Sequence, residues 1–210
     1  KEGLDVLIVE RGSYPGSKNM TGGRLYSHSL EKIIPNFAKE APVQRKIVHE
    51  KFSFMTDDSA FTIDYSSTNL TIQGKDSYSI IKTEFDKWLA AKAEDAGAKI
   101  IAGICVDDLI KRKGKVCGVI AGENKFESEV VILAEGVNAL LTQKLGFRDE
   151  LKPGEVAIGA KELIALPEEV INDRFQVSSS EEGAAWLFVG SPTNGRIGGG
   201  FLYTNKSTIS

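Results

Sequence analysis

The chain opens with a β-branched apolar run, Leu-Asp-Val-Leu-Ile-Val over residues 4–9, that stops at Glu10. An apolar run closed by a single acid predicts a buried parallel strand. Residues 11–24 carry Gly12, Pro15, Gly16, Gly22 and Gly23, the punctuation of a loop. A short helix is expected over 28–34, stopping before Pro35. Strand-like patterns follow over 47–55, 60–65 and 78–81. Thr83 then opens an amphipathic helix that sets Phe85, Trp88, Leu89, Ala93 and Ala96 on one face and ends with Gly97 at the C′ position.

Further strands are predicted over 99–102, 106–111, 116–121 and 126–134, and the last of them ends in Val130-Val-Ile-Leu-Ala134, apolar on both faces. A helix over 139–145 ends at Gly146. Beyond Pro153, strands over 156–163, 185–189 and 198–203 predict a second, mostly antiparallel sheet, interrupted by a helical turn over 168–173. The chain starts straight into a strand and ends on an alternating pattern, so it is expected to be an internal piece of a longer protein. The fold class that follows is mixed α/β (α+β).

Composition narrows the function classes. Of 210 residues, 41% are hydrophobic, 26% charged and 8% aromatic, which describes a folded chain with one sizeable core or two packed lobes. The net charge of −3 argues against nucleic acid as a partner. No apolar stretch approaches the roughly 20 residues that span a bilayer. The two cysteines, Cys105 and Cys117, cannot build a four-cysteine iron–sulfur cluster; they are expected as reduced core thiols of a cytoplasmic protein. His28 and His49 are expected in surface or loop-packing roles, Trp88 and Trp186 in the core, and Gly198-Gly199-Gly200 at a bend.

Candidate chemistry begins at Glu10. An acid at the tip of a buried parallel strand is where dinucleotide-binding folds hold a ribose, although a solvated strand end reads equally well from the residue alone. No Gly-x-Gly-x-x-Gly turn occurs in the chain. A second feature is Glu135-Gly136-Val137-Asn138 between the apolar run and a helix start, either a ready anion site or an ordinary strand-to-helix turn, with Asn138 a candidate cap. A third is the Lys82–Asp86 pair at the start of the long helix, where Lys82 could reach a phosphate or a flavin edge or simply be solvated.

The strings Gly3-Leu-Asp-Val-Leu-Ile-Val-Glu10-Arg11-Gly12 and Lys18-Asn-Met-Thr-Gly-Gly-Arg-Leu-Tyr26 resemble FixC-type flavoproteins. These are relatives of electron-transfer flavoprotein–quinone oxidoreductase within the geranylgeranyl-reductase-like group. The resemblance continues through Lys82-Thr-Glu-Phe-Asp-Lys-Trp-Leu89, Val130 to Asn138, Ile171 to Phe175, Glu182 to Phe188 and Gly198 to Lys206. It implies a partial glutathione-reductase-like, Rossmann-type FAD-binding domain with an interleaved antiparallel-sheet substrate-type domain. The expected division is residues 1–45 and 82–150 for the FAD-binding part, the latter with a β-meander, and 46–81 and 151–210 for the substrate-type part.

The same resemblance assigns Glu10 to the adenosine ribose with Arg11 beside it, and passes Thr21, Gly22 and Arg24 along the cofactor. It sets Lys82 in the slot of an FAD-contacting arginine, a departure, because a lysine cannot make the bidentate fork. It matches Val106 to a backbone contact with adenine, and Glu135 and Gly136 to an acid–glycine turn near the pyrophosphate, with Glu for the commoner Asp. It also implies that the glycine-rich turn lies before residue 1 and a flavin-contacting segment beyond residue 210.

Three functions stay open at this point. The first is an FAD enzyme passing electrons from an electron-transfer flavoprotein towards quinone, with a separate ferredoxin-like partner. The second is a geranylgeranyl-reductase-like or hydroxylase-like FAD enzyme acting on an organic substrate. The third is a non-enzymatic nucleotide-binding domain. A flavin carries the electrons itself, so no catalytic side chain is named and no metal is expected. The expected location is cytoplasmic, with a peripheral position at the inner face of the membrane as a variant.

Overall fold

The computed structural model describes residues 3–19, 22–71 and 75–210. In chain order its elements are β1 (Leu7–Glu10), β2 (Gly23–Tyr26), α1 (Ser27–Leu30), β3 (Val43–Met55), β4 (Ala60–Ser66), β5 (Ser77–Ile80), α2 (Lys82–Asp95), β6 (Lys99–Ala102), β7 (Asp108–Arg112), β8 (Lys115–Ala121), β9 (Asn124–Glu127), α3 (Leu140–Lys144), β10 (Ile164–Ala165), α4 (Glu168–Phe175), β11 (Glu182–Gly190), β12 (Gly200–Tyr203) and β13 (Thr208–Ile209). They fall into two compact units, Lys1–Ser17 with Lys92–Gly159, and Lys18–Ala91 with Ala160–Ser210.

The second unit is built on one six-stranded sheet in the order β12-β11-β3-β5-β2, with β4 also paired to β3. The long β3 serves as its spine. One edge pairs in parallel with β11 from Lys46 to Met55, and the other pairs antiparallel with β5 near Val43 and with β4 from His49 onward. The sheet is mostly antiparallel, as its patterns predict, apart from the β3–β11 ladder. β2, which starts at the end of the expected loop, pairs with β5 from Gly23 to Tyr26.

Two apolar clusters hold this sheet. Phe37, Ala41, Ile80 and Phe85 are buried together, with Leu25, Leu30, Ile34 and Trp88 against them. The α2 face is narrower than its pattern suggests, since Leu89 is 38% exposed. On the other cluster Ile171 and Phe175 of α4 meet Ala184, with Trp186, Leu202 and Ile209 alongside.

Between these elements lies Arg45, fully buried. Its Nε donates to the Asn205 carbonyl at 2.6 Å and its Nη2 to the Lys206 carbonyl at 2.9 Å. Its Nη1 donates to Asn172 Oδ1 at 2.6 Å and to the carbonyls of Glu182 and Ser179 at 2.9 and 3.2 Å. Burial lowers the pKa of this guanidinium, and the charges of Glu168 and Glu181 act against that shift. An arginine stays protonated through such a shift.

The first unit holds the parallel pair β1–β6, the β7–β8–β9 meander and α3. Here the expectations need correction. The strand predicted over 4–9 is β1, Leu7–Glu10, and Leu7 and Ile8 are exposed. The strand predicted over 126–134 is β9 and ends at Glu127; Val130 and Ile132 lie exposed at 74% and 86%. The strand predicted over 156–163 is absent as well, and only Ile164–Ala165 pairs, with β13. An apolar run becomes a strand only where a neighbour takes its N–H and C=O groups. Among the described residues, β1 has β6 alone and 130–134 has no ladder. Cys105 is exposed in the segment between β6 and β7, and Cys117 is half-buried in β8, so Cys105 is not the core thiol its apolar neighbours suggest.

Arg45→Met keeps the volume but leaves Asn172 Oδ1 and four carbonyls without their donor. Each stranded buried acceptor costs about 1–3 kcal/mol, so the expected loss is at least about 3 kcal/mol. Urea unfolding of the variant checks this; an unchanged midpoint would contradict the role given to Arg45.

Candidate cofactor site

In the first unit, β1 delivers Glu10 to the start of a tight turn. The Glu10 carboxylate accepts the Gly12 N–H, closing the turn on itself. A Cβ at position 12 would stand 2.2 Å from Ser17 Oγ and 2.9 Å from Glu10 Oε1, so a larger residue there would have to displace both side chains. The segment after β6 is tied to the same place: Ile104 N–H donates to the Glu10 carbonyl at 3.1 Å and Gly103 N–H to the Gly12 carbonyl at 2.7 Å. The half-buried Val106 follows two residues after Ile104. Arg11 is exposed on the turn. Ser17 Oγ is buried and has no hydrogen-bond partner. A strand-tip carboxylate, a glycine cradle and an orphaned buried hydroxyl are a donor and acceptor set that fits the sugar of a dinucleotide.

The acid–glycine turn takes a specific form. Glu135 accepts the N–H groups of Leu141 and Thr142 at 2.7 and 2.8 Å, and the Thr142 hydroxyl at 2.7 Å. It thereby caps α3, in place of the expected Asn138, whose carbonyl instead accepts from Gln143. Burial pushes the Glu135 pKa up, but the bonds from Leu141 and Thr142 outweigh it and hold the carboxyl below its ordinary value. Gly136, exposed beside it, has a φ of +72°.

In the second unit the loop and strand residues are held by the sheet. Thr21 lies outside the described residues. Gly22 has a φ of +74°, and a Cβ there would stand 2.1 Å from the Tyr203 hydroxyl and 2.7 Å from the Ile80 carbonyl. Arg24 is committed to protein partners: Nε donates to Ser77 Oγ at 2.9 Å, Nη2 to the Glu50 carboxylate, and Cζ lies 4.6 Å from the Tyr26 ring centre. Lys82 Nζ donates to Asp86 Oδ1 at 2.5 Å, one helical turn away, and Asn19 Nδ2 donates to the other Asp86 oxygen.

Sheet register adds an apolar surface. Ile63, Phe52, Leu187 and Phe201 form one row across four strands, and Phe61, Phe54 and Val189 the next. The adjoining row carries Tyr65, Glu50, Ala185 and Tyr203, so the Arg24 partner and the residue packed on Gly22 share this face. Phe61 and Phe54 are 65% and 51% exposed. The opposite face differs: Lys51 and His49 meet Asp64 at 3.0 and 3.4 Å, and Trp186 Nε1 donates to Ser53 Oγ at 2.8 Å.

Over all 210 residues the chain is 55% identical to Protein FixC of Escherichia coli (strain K12), covering 49% of that protein. The chain is thus similar along its whole length to FixC-type proteins. It is also 52% identical over 210 residues to the probable electron transfer flavoprotein-quinone oxidoreductase YdiS of the same organism, again covering 49%. The chain spans about half the length of the curated relatives it matches. No family model matches it. Among solved structures it shares its fold with a geranylgeranyl bacteriochlorophyll reductase-like protein from Thermoplasma acidophilum, at a TM-score of 0.64 and 17% identity over 99% of this chain and 49% of that one. A myxobacterial FAD-dependent halogenase, CndH, also matches at 0.64, with 13% identity over 99% of this chain and 46% of that one. These likenesses establish a mixed α/β fold of the kind found in FAD-dependent halogenases.

Residue-by-residue reading of the sequence missed Ser17, Asp86 as a double acceptor and the buried Arg45. A lone arginine in an alternating strand, Val43-Gln-Arg-Lys-Ile47, was the only trace of the last.

The Glu135 cap has a definite pH sign. Its folded pKa is depressed, so its stabilisation is complete above the ordinary carboxylate value and is lost as pH falls through the lowered one. Glu135→Gln should cost about 1 kcal/mol at neutral pH and flatten the acid limb of the stability curve. Urea unfolding followed between neutral pH and the acid range checks both.

Proposed function

We propose that this FixC-type chain is the adenosine-binding and substrate-facing half of an FAD-dependent oxidoreductase that passes electrons from an electron-transfer flavoprotein towards quinone. The observation that carries the reading is the 52% identity, over every residue of the chain, to a probable electron transfer flavoprotein-quinone oxidoreductase. When bound, FAD supplies one- and two-electron exchange, for which no protein nucleophile or base is needed.

In this reading Glu10 accepts the two ribose hydroxyls, Arg11 flanks them, and the backbone at Val106 meets the adenine edge. Glu135 orders the first turn of α3, which leaves Gly136 as the close-approach position beside the pyrophosphate. In the second unit the same reading gives Gly22, Arg24 and Lys82 to the cofactor. Arg24, spent on Glu50 and Ser77, would act by stiffening β2. The open apolar rows on β3, β4, β11 and β12 suit an isoprenoid quinone, whose long tail needs surface away from water. A ferredoxin-like protein completes the proposed relay. No helix among the described residues is long and apolar enough to cross a membrane. The proposed location is the cytoplasm, peripheral at the inner face of the membrane.

A second reading, an FAD enzyme acting directly on an organic substrate, is favoured by the fold shared with a reductase-like protein and a halogenase and by the same apolar rows. The absorbance spectrum of the full-length protein separates them. Flavin bands bleached only by reduced electron-transfer flavoprotein support the first reading, and bleaching by NADPH alone supports the second. A colourless protein that takes up no FAD overturns both. In the same protein, Glu10→Ala should lower flavin retention at least tenfold on dilution, since a charge-assisted pair of hydrogen bonds is removed. Flavin content equal to the parent would remove Glu10 from the site.

A further inference from the structure

A half-open cavity of about 190 Å³ lies within the second unit, lined by none of the residues given to the cofactor. Its polar lining is Ser27, Glu31, Asn36, Lys39, Asp76 and Tyr78. Strand register builds it: β2 pairs with β5 so that Tyr26 stands opposite Ser77. The next step along each strand brings Ser27 to Asp76, and the Ser27 N–H donates to the Asp76 carbonyl at 2.9 Å. Ser27 is 2% exposed, and its Oγ is buried with no hydrogen-bond partner. Asp76 Oδ1 is buried and unbonded too; Lys46 Nζ lies 2.9 Å away, but the pair is not aligned as a hydrogen bond. Two unsatisfied oxygens on one cavity wall mark a place where a donor belongs.

The remaining lining is rich in acceptors. The Tyr78 hydroxyl has given its proton to Asp76 Oδ2 at 3.2 Å. Burial, followed by the charges of Asp76 and Glu31, pushes that phenol up to about 12, so it stays protonated. Glu31 is half-buried, accepts the Asn36 N–H at 2.8 Å and makes no ion pair among the described residues. A metal dication suits this set poorly. Among the described residues no three of His, Cys, Asp and Glu come together, and the Lys46 charge beside Asp76 would repel it.

We propose that this cavity binds a small primary ammonium, a free amine or the amino group of an amino acid, whose three N–H donors serve Ser27 Oγ, Asp76 Oδ1 and Glu31. The proposal does not depend on the flavin reading. A –NH₃⁺ group carries three donors and no acceptor, which matches three open acceptors. A water takes about 30 Å³ in the liquid, so the space holds a ligand of roughly six heavy atoms. Lys39, exposed at the cavity, is placed to meet the carboxylate if the ligand is an amino acid.

The test is calorimetric titration of the full-length protein at neutral pH with ethanolamine, alanine and tetramethylammonium. Ethanolamine or alanine should bind saturably, and tetramethylammonium, which has the charge without the N–H donors, should not. Glu31→Gln should weaken binding about tenfold and Ser27→Ala about fivefold, the scale of one charge-assisted and one ordinary hydrogen bond. Ser27→Ala should leave the urea midpoint of the ligand-free protein where it was, because its hydroxyl has no bond to lose. Alanine bound more tightly than ethanolamine, with the advantage lost in Lys39→Met, identifies an amino acid; ethanolamine bound as well or better identifies a free amine. No saturable binding of either, equal binding of tetramethylammonium, or parent affinity in both Glu31→Gln and Ser27→Ala overturns the site.

Discussion

The second unit depends on a single buried cation. Arg45 sits in the middle of the sheet with no carboxylate of the described residues in ion-pair contact, and its charge is spread over four carbonyls and one amide oxygen. A charge in such surroundings is tolerable only while every donor is used. The acceptors come from the α4 helix, the turn before β11, β11 itself and the turn before β13, so those segments must all converge on β3 for the guanidinium to be satisfied. Parallel pairing of β11 with β3 brings Glu182 opposite Lys46, and β12 returns antiparallel to bring Asn205 and Lys206 back. The same return places Tyr203 under Gly22, so the arginine's demands reach the loop that carries the proposed cofactor residues.

A recurring device in both units is a carboxylate that ties separate groups together. Glu135 gathers the free N–H groups of α3, Asp86 joins a helix to a loop, and Glu50 takes the Arg24 guanidinium across from β3. In each case an acid that reads as a surface charge organises backbone or side chains around it. Glu10 does the same on a smaller scale by closing its own turn through Gly12. Such prior arrangement reduces what a ligand must order when it binds.

Much of this was legible in the residues. Every helix and most strands lie where hydrophobic period and glycine placement put them, and the Gly97 close of α2, with a φ of +98°, follows from its position at C′. The loop string from Lys18 to Tyr26 identified the FixC-type group. The exposed runs at 130–134 and 156–163 were misread because an apolar, β-branched stretch reports that a segment is suited to burial, whereas a strand also needs a neighbour to bond. Cys105 is exposed for a related reason: apolar neighbours in sequence bury a side chain only where the segment packs against another.

The sequence by itself determined the local periods, the turns that only glycine can make and the kinship of the chain, because these depend on residues a few positions apart. Tertiary structure alone decided the direction of β11 against β3, the commitment of Arg24 to Glu50, the capping of α3 by Glu135 and the cage around Arg45. Those outcomes rest on hydrogen bonds between groups as far as 161 positions apart. Their strength depends on burial and approach geometry, neither of which a linear pattern carries.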